Sequence, residues 1–115
     1  MSSLIYHLVP QDDWAASPPD QPYTPAAYAH EGFIHCTSGE KQLAVVANRY
    51  YRNDRRVWVA LAIAEERVSS QIKYEPGTDG LLYPHIYGAL NRDAVMAVLP
   101  MPRAPDGTFK PLARS

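Results

Sequence analysis

The chain has 115 residues and a mass of 12.8 kDa, which fits one domain able to bury roughly two-thirds of its unfolded surface. Apolar residues at 46% and charged residues at 20% exclude a disordered or acidic-tail class. Eleven basic against twelve acidic side chains give a net charge of −1, so the basic excess that drives sequence-independent nucleic-acid binding is missing and nucleic acid is not an expected partner. The lone Cys36 cannot form an internal disulfide. No basic-plus-apolar leader and no apolar run of about 18 residues stands at the N-terminus. The expectation is a cytoplasmic protein in a reducing compartment, with no membrane partner.

The first element, Leu4 to Val9, is rich in strand formers and stops at Pro10, which cannot donate to a ladder. Asp12 to Ala16 has room for one helical turn. The prolines of Ser17-Pro18-Pro19-Asp20-Gln21-Pro22 then force a loop, with Trp14 as its anchor. Thr24 and Pro25 read as an N-cap and first helical position, opening a short turn through Tyr28 that Gly32 ends. A second strand follows, Phe33 to Thr37. Thr37 and Glu40 have capping-box spacing, and Leu43, Val46, Ala47 and Tyr50 recur at helical intervals, so a helix is expected over 39–51. Val57 to Ile63 is a nearly unbroken apolar run, as in a strand covered on both faces, and belongs in the middle of a sheet. A short strand at Ile72 to Glu75 and a turn at Pro76-Gly77-Thr78-Asp79-Gly80 precede an extended piece from Leu81 to Tyr87. Pro84 marks that piece as an edge or a bulge. Asn91 to Asp93 make a turn, Ala94 to Leu99 a last strand, and the proline-bearing tail from about residue 100 is irregular. These elements describe one α+β domain, 1–115.

Three histidines, His7, His35 and His85, each lie inside an apolar or aromatic strand, whereas His30 sits in a polar turn and faces solvent. One such histidine is explained equally well as a core ring bonded to nearby backbone. Desolvating three imidazoles is expensive unless they share a purpose, so a common cleft is the economical expectation. Tyr6, Tyr83 and Tyr87 neighbour these segments and offer a stacking wall or ordinary core packing. Two other chemistries have partial support. Three imidazoles with Glu75 as a fourth ligand would make a metal site, but no H-E-x-x-H or C-x-x-C run is present and no metal is expected. His35-Cys36-Thr37 is an H-x-T tripeptide of the kind that two-histidine phosphoesterases use in pairs, and its only candidate partner is His85-Ile86-Tyr87. Cys36 points to the opposite side of its strand from His35 and reads as a core thiol rather than a nucleophile. Gly88 reads as ordinary turn use or as a close approach of backbone or ligand.

Taken in order, Ile5-Tyr6-His7-Leu8-Val9-Pro10 with Trp14, Glu31-Gly32-Phe33-Ile34-His35-Cys36, and Pro84-His85-Ile86-Tyr87-Gly88 resemble a small bacterial family, domain of unknown function 952. The resemblance runs from about Ile5 to Phe109 and includes Gln42, Ala47-Asn48, Tyr51 and Glu75. It implies a fold similar to the ADP-ribosyltransferases: a split antiparallel or mixed sheet with few short helices, holding NAD in a cleft. Gly32-Phe33-Ile34-His35 leading through Ser38 into a helix resembles the corresponding glycine-aromatic strand of poly-ADP-ribose polymerases. By position, the resemblance makes His7 the group that orients the nicotinamide ribose and His35 the group that packs on the base. His85 stands where a transferase often has glutamate, with Glu75 as a substitute if folding brings it near. The implied function is an NAD-like nucleotide-binding domain transferring ADP-ribose, with His7, His35 and Tyr87 binding the nucleotide and His85 and Glu75 as the catalytic pair. A non-catalytic module for a small metabolite or peptide, and a histidine-ligated metalloenzyme, are the alternatives.

Overall fold

The computed structural model describes residues 3–112. Its strands are β1 (Leu4–Pro10), β2 (Ile34–His35), β3 (Thr37–Ser38), β4 (Trp58–Ala64), β5 (Gln71–Pro76), β6 (Leu82–Tyr87) and β7 (Val95–Pro100). The helices are α1 (Gln11–Ala16), α2 (Tyr28–Glu31) and α3 (Glu40–Tyr51), with 3-10 turns at Glu65–Arg67 and Arg92–Ala94. One sheet has the order β3-β1-β4-β7, the other β2-β6-β5, and every pairing between these strands is antiparallel. The fold is α+β with two antiparallel sheets and few helices. No helix among the described residues is long and apolar enough to cross a membrane.

Alternation along β1 and β4 divides the interior. Ile5, Val9, Val59, Leu61 and Ile63 face the second sheet and pack with Ile34, Cys36 and Ile86. Tyr6, Trp58, Ala60 and Ala62 face the other way, against Leu43 and Ala47 of α3 and Met101, Phe109 and Leu112 of the tail. All seven residues of β4 are buried because it carries one core on each side, which is why its sequence is an apolar run and not an alternation. The tail is irregular, as expected, but it is tied down. Asn48 bonds both main-chain groups of Phe109, at 3.0 and 2.7 Å. The Arg103 guanidinium lies over the Phe109 ring and donates to the carbonyl of Arg52 at 2.9 Å, just past the end of α3, where helical carbonyls lack partners.

Three local expectations are corrected. Thr37 does not cap α3: it is buried in β3, and Gly39 at φ +87° is the N-cap, with no side-chain cap bond. Pro84 lies in β6, the central strand of its sheet, and not at an edge or bulge. Its carbonyl accepts from the Cys36 N–H at 3.0 Å. In an antiparallel pair the return donor would be the Pro84 nitrogen, on that same side. The missing hydrogen therefore falls where the 34–38 segment leaves β6 and passes to β1, and costs no ladder bond within the sheet. The second strand is split for the same reason, β2 pairing with β6 and β3 with β1.

Candidate functional site

On the second sheet, Ile34, Ile72 and Ile86 turn inward. The register sets His35 opposite His85 and His85 opposite Lys73, so these three share the outer face. Two residues along, Glu75, Tyr83 and Tyr87 share it too. Four rings gather there. Phe33 stacks on His85 with centroids 4.3 Å apart and meets His35 edge-on at 4.7 Å and Tyr87 at 5.3 Å. His35 and His85 lie 5.2 Å apart, edge to face.

Each residue of Glu31-Gly32-Phe33-Ile34-His35 has a local reason. Gly32 ends α2 at φ +82°, a conformation glycine adopts freely. The chain can then reverse so that Phe33 covers His85 while Ile34 enters the core. Glu31 stands 3.2 Å from His35 Nε2. The His35 ring remains more than half exposed, at 57% of its side chain.

Glu75 is the hub of the polar part. Its Oε1 is 2.8 Å from His85 Nδ1 and accepts the Tyr87 hydroxyl at 2.5 Å. The two bonds, that of Tyr87 first, hold the Glu75 carboxyl below the ordinary carboxylate range. The same contact raises the Tyr87 phenol, because ionising it would set two anions together. Lys73 Nζ lies over the Tyr87 ring, 4.7 Å from its centroid. Further along, Tyr83 donates to Asp79 and accepts from Gln42 at 2.8 Å, while Arg49 bonds Asp79 at 3.3 Å. This network ties the β5–β6 turn to α3.

His7 is not part of this face. It lies on the inner side of β1 with Ile5 and Val9, 6% exposed. Its Nδ1 donates to the His35 carbonyl at 2.7 Å and its Nε2 accepts the Tyr23 hydroxyl at 3.1 Å. Both nitrogens are thus used by protein, and burial pulls its pKa from 6.5 down to about 4. The expected cleft of three imidazoles therefore divides: His35, His85, Glu75 and Tyr87 come together, and His7 supports the strand beneath them. Two surface hollows lie elsewhere. One of about 460 Å³ is bordered by Val45, Asn48, Arg49, Arg52 and Thr108, the other of about 340 Å³ by Leu99, Pro100, Met101, Pro102 and Leu112. Neither hollow is bordered by a residue of the histidine face. No three His, Cys, Asp or Glu side chains among the described residues are grouped to hold a metal ion.

Phe33 as a cover, Lys73 and the Tyr83-Asp79-Gln42 network were not picked out from sequence. The signal for Lys73 was present in the turn. Once Pro76 and Leu82 close the hairpin, counting outward pairs Glu75 with Tyr83 and Lys73 with His85.

Residues 8–98 match the model of a family described as protein of unknown function (DUF952). The chain belongs to the DUF952 family. Among solved structures, this DUF952 chain is similar to the crystal structure of protein CC0527 from Caulobacter crescentus. That match is 27% identical, covers 94% of each chain and has a TM-score of 0.81. A double mutant of CC0527 gives 27%, 94% of each chain and 0.80. The solution NMR structure of CC0527 gives 26%, 90% of this chain, 89% of that one and 0.73. No curated protein is similar enough to count as a relative. Neither the family description nor these structures' names speak of an ADP-ribosyltransferase.

Proposed function

We propose that the outer face of β2, β6 and β5 binds a nucleotide of the NAD type in a reducing, cytoplasmic setting, and that the division of the sheet at Cys36 is the split of an ADP-ribosyltransferase-like fold. The observation that carries the reading is the convergence of His35, His85, Glu75 and Tyr87 from three strands. The exposed His35 ring, backed edge-on by Phe33, is the surface on which a base stacks. Glu75 Oε2 is the acceptor for a ribose hydroxyl, and Lys73 the cation beside the phosphates. His7 takes no part in contact. It fixes the His35 backbone from below and positions the stacking ring.

Calorimetric titration with NAD up to about millimolar concentration tests this, since weaker binding would fall below what a few contacts supply. Saturable binding is expected to weaken about tenfold or more in His35→Ala, the scale of one lost stacking contact. No binding by the wild type contradicts the proposal. A non-catalytic metabolite or peptide module is the second reading, favoured by the exposure of the His35 ring. It predicts binding without release of nicotinamide. A histidine metalloenzyme has no converging ligand set among the described residues to support it.

A further inference from the structure

The His85 ring is held in an unusually determined way. Glu75 Oε1 is an acceptor, so the bond at 2.8 Å places the ring hydrogen on Nδ1 and leaves the lone pair of the neutral ring on Nε2. Phe33 covers one face of the ring and His35 stands edge-on to it, so it cannot turn freely. Nε2 has no hydrogen-bond partner among the described residues. It is not sealed either: the buried side-chain polar atom without a partner among these residues is Trp58 Nε1. The open part of His85, 11% of its side chain, therefore includes Nε2. An imidazole oriented through one nitrogen by a carboxylate, with the other nitrogen unbonded and not fully sealed, is arranged to take a proton.

No described hydroxyl or thiol is hydrogen-bonded to His85, and Cys36 is buried, which pushes its thiol up and keeps it protonated. No described side-chain hydroxyl or thiol is thus set up by His85 as a nucleophile. We infer that His85 is the general base of an ADP-ribose transfer at this face, that Glu75 and Tyr87 position it, and that the acceptor is a proton-bearing oxygen, either water or a hydroxyl group. The inference rests on the nucleotide reading above. In the step, an oxygen lone pair of the acceptor bonds to the anomeric carbon of the nicotinamide ribose. The bond from that carbon to the pyridinium nitrogen breaks, its electron pair leaves with nicotinamide, and nicotinamide departs neutral. The acceptor proton moves to His85 Nε2, and Glu75 faces the resulting imidazolium at Nδ1.

Two measurements on the full chain test it. In the ligand-free protein, long-range nitrogen–proton NMR near neutral pH should show His85 with its hydrogen on Nδ1, and Glu75→Gln should abolish that preference. With NAD, His85→Ala should lower kcat for nicotinamide release by about a hundredfold or more, well beyond any change in KM or calorimetric affinity. Added methanol should divert ADP-ribose to its methyl glycoside. Hydrogen on Nε2 in the wild type, full turnover in His85→Ala, or NAD binding without nicotinamide release each overturns the base. Absence of NAD binding by the wild type overturns the nucleotide reading instead, and the transfer with it.

Discussion

Acidification should loosen the fold through His7 before it protonates most carboxylates. The ring is enclosed by the inter-sheet core, and its pKa is pulled from 6.5 to about 4, with burial as the main cause. In the unfolded chain the imidazole takes up its proton near 6.5, so between that value and about 4 the unfolded state binds more protons than the folded one, and stability falls as pH falls. Integrated from about pH 7.5 to about pH 4.5, this one group removes roughly 2.5 kcal/mol. Other groups also titrate in this range, so the isolating measurement is a difference. Denaturant unfolding of the wild type and of His7→Gln is followed at each pH by fluorescence of Trp14 and Trp58. Near neutral pH the variant is less stable by about 1–3 kcal/mol, because the His35 carbonyl and the Tyr23 hydroxyl lose their partner. Towards pH 4.5 the wild type gives up its advantage, and the gap closes or reverses by roughly 2.5 kcal/mol. A gap that is independent of pH would refute the reasoning, since it would mean that the ring takes up its proton as readily in the folded protein as in the unfolded chain.

Gly88→Ala should cost roughly 1–3 kcal/mol, because Gly88 has φ +147° and a Cβ there would lie 2.3 Å from Ser70 Oγ; an unchanged Tm would contradict the close approach. Asn48→Ala should destabilise by about 1–3 kcal/mol by orphaning the Phe109 N–H, with proteolysis after Arg103 speeding up, and equal tail protection in variant and wild type would show that the tail holds itself. Cys36 should stay unlabelled by a thiol reagent in the native protein and react fully once denatured, since the side chain is buried and its thiol held protonated.

The long elements were legible because each carries a local pattern strong enough to stand alone. The apolar run of β4, the helical spacing of α3 and the glycine turn after β5 are such cases, and each forms within a residue or two of its expected place. What failed was the reading of single residues whose role is fixed by distant chain. Thr37 has the spacing of a cap, but pairing with Tyr6 of β1 keeps it in a strand. Pro84 looks like an edge residue until β2 is seen to leave β6 beside it. The histidines divide in the same way. Alternation puts His7 with Ile5 and Val9 and so hints at the core, but only the packing of Tyr23 against it shows that the ring is satisfied there. The meeting of Glu75 with His85 depends on hairpin register, which the turn residues bracket but do not state. Phe33 stacks on His85 only because Gly32 reverses the chain.

The central claim is that the outer face of β2, β6 and β5 is where a nucleotide sits. Mapping amide and imidazole NMR shifts during NAD addition tests it most directly. Phe33, His35, Lys73, Glu75, His85 and Tyr87 should shift together and saturably, while residues beside the hollow of Asn48 and Thr108 do not move. Saturable shifts at that hollow with none at the histidine face, or no shifts anywhere, would contradict it.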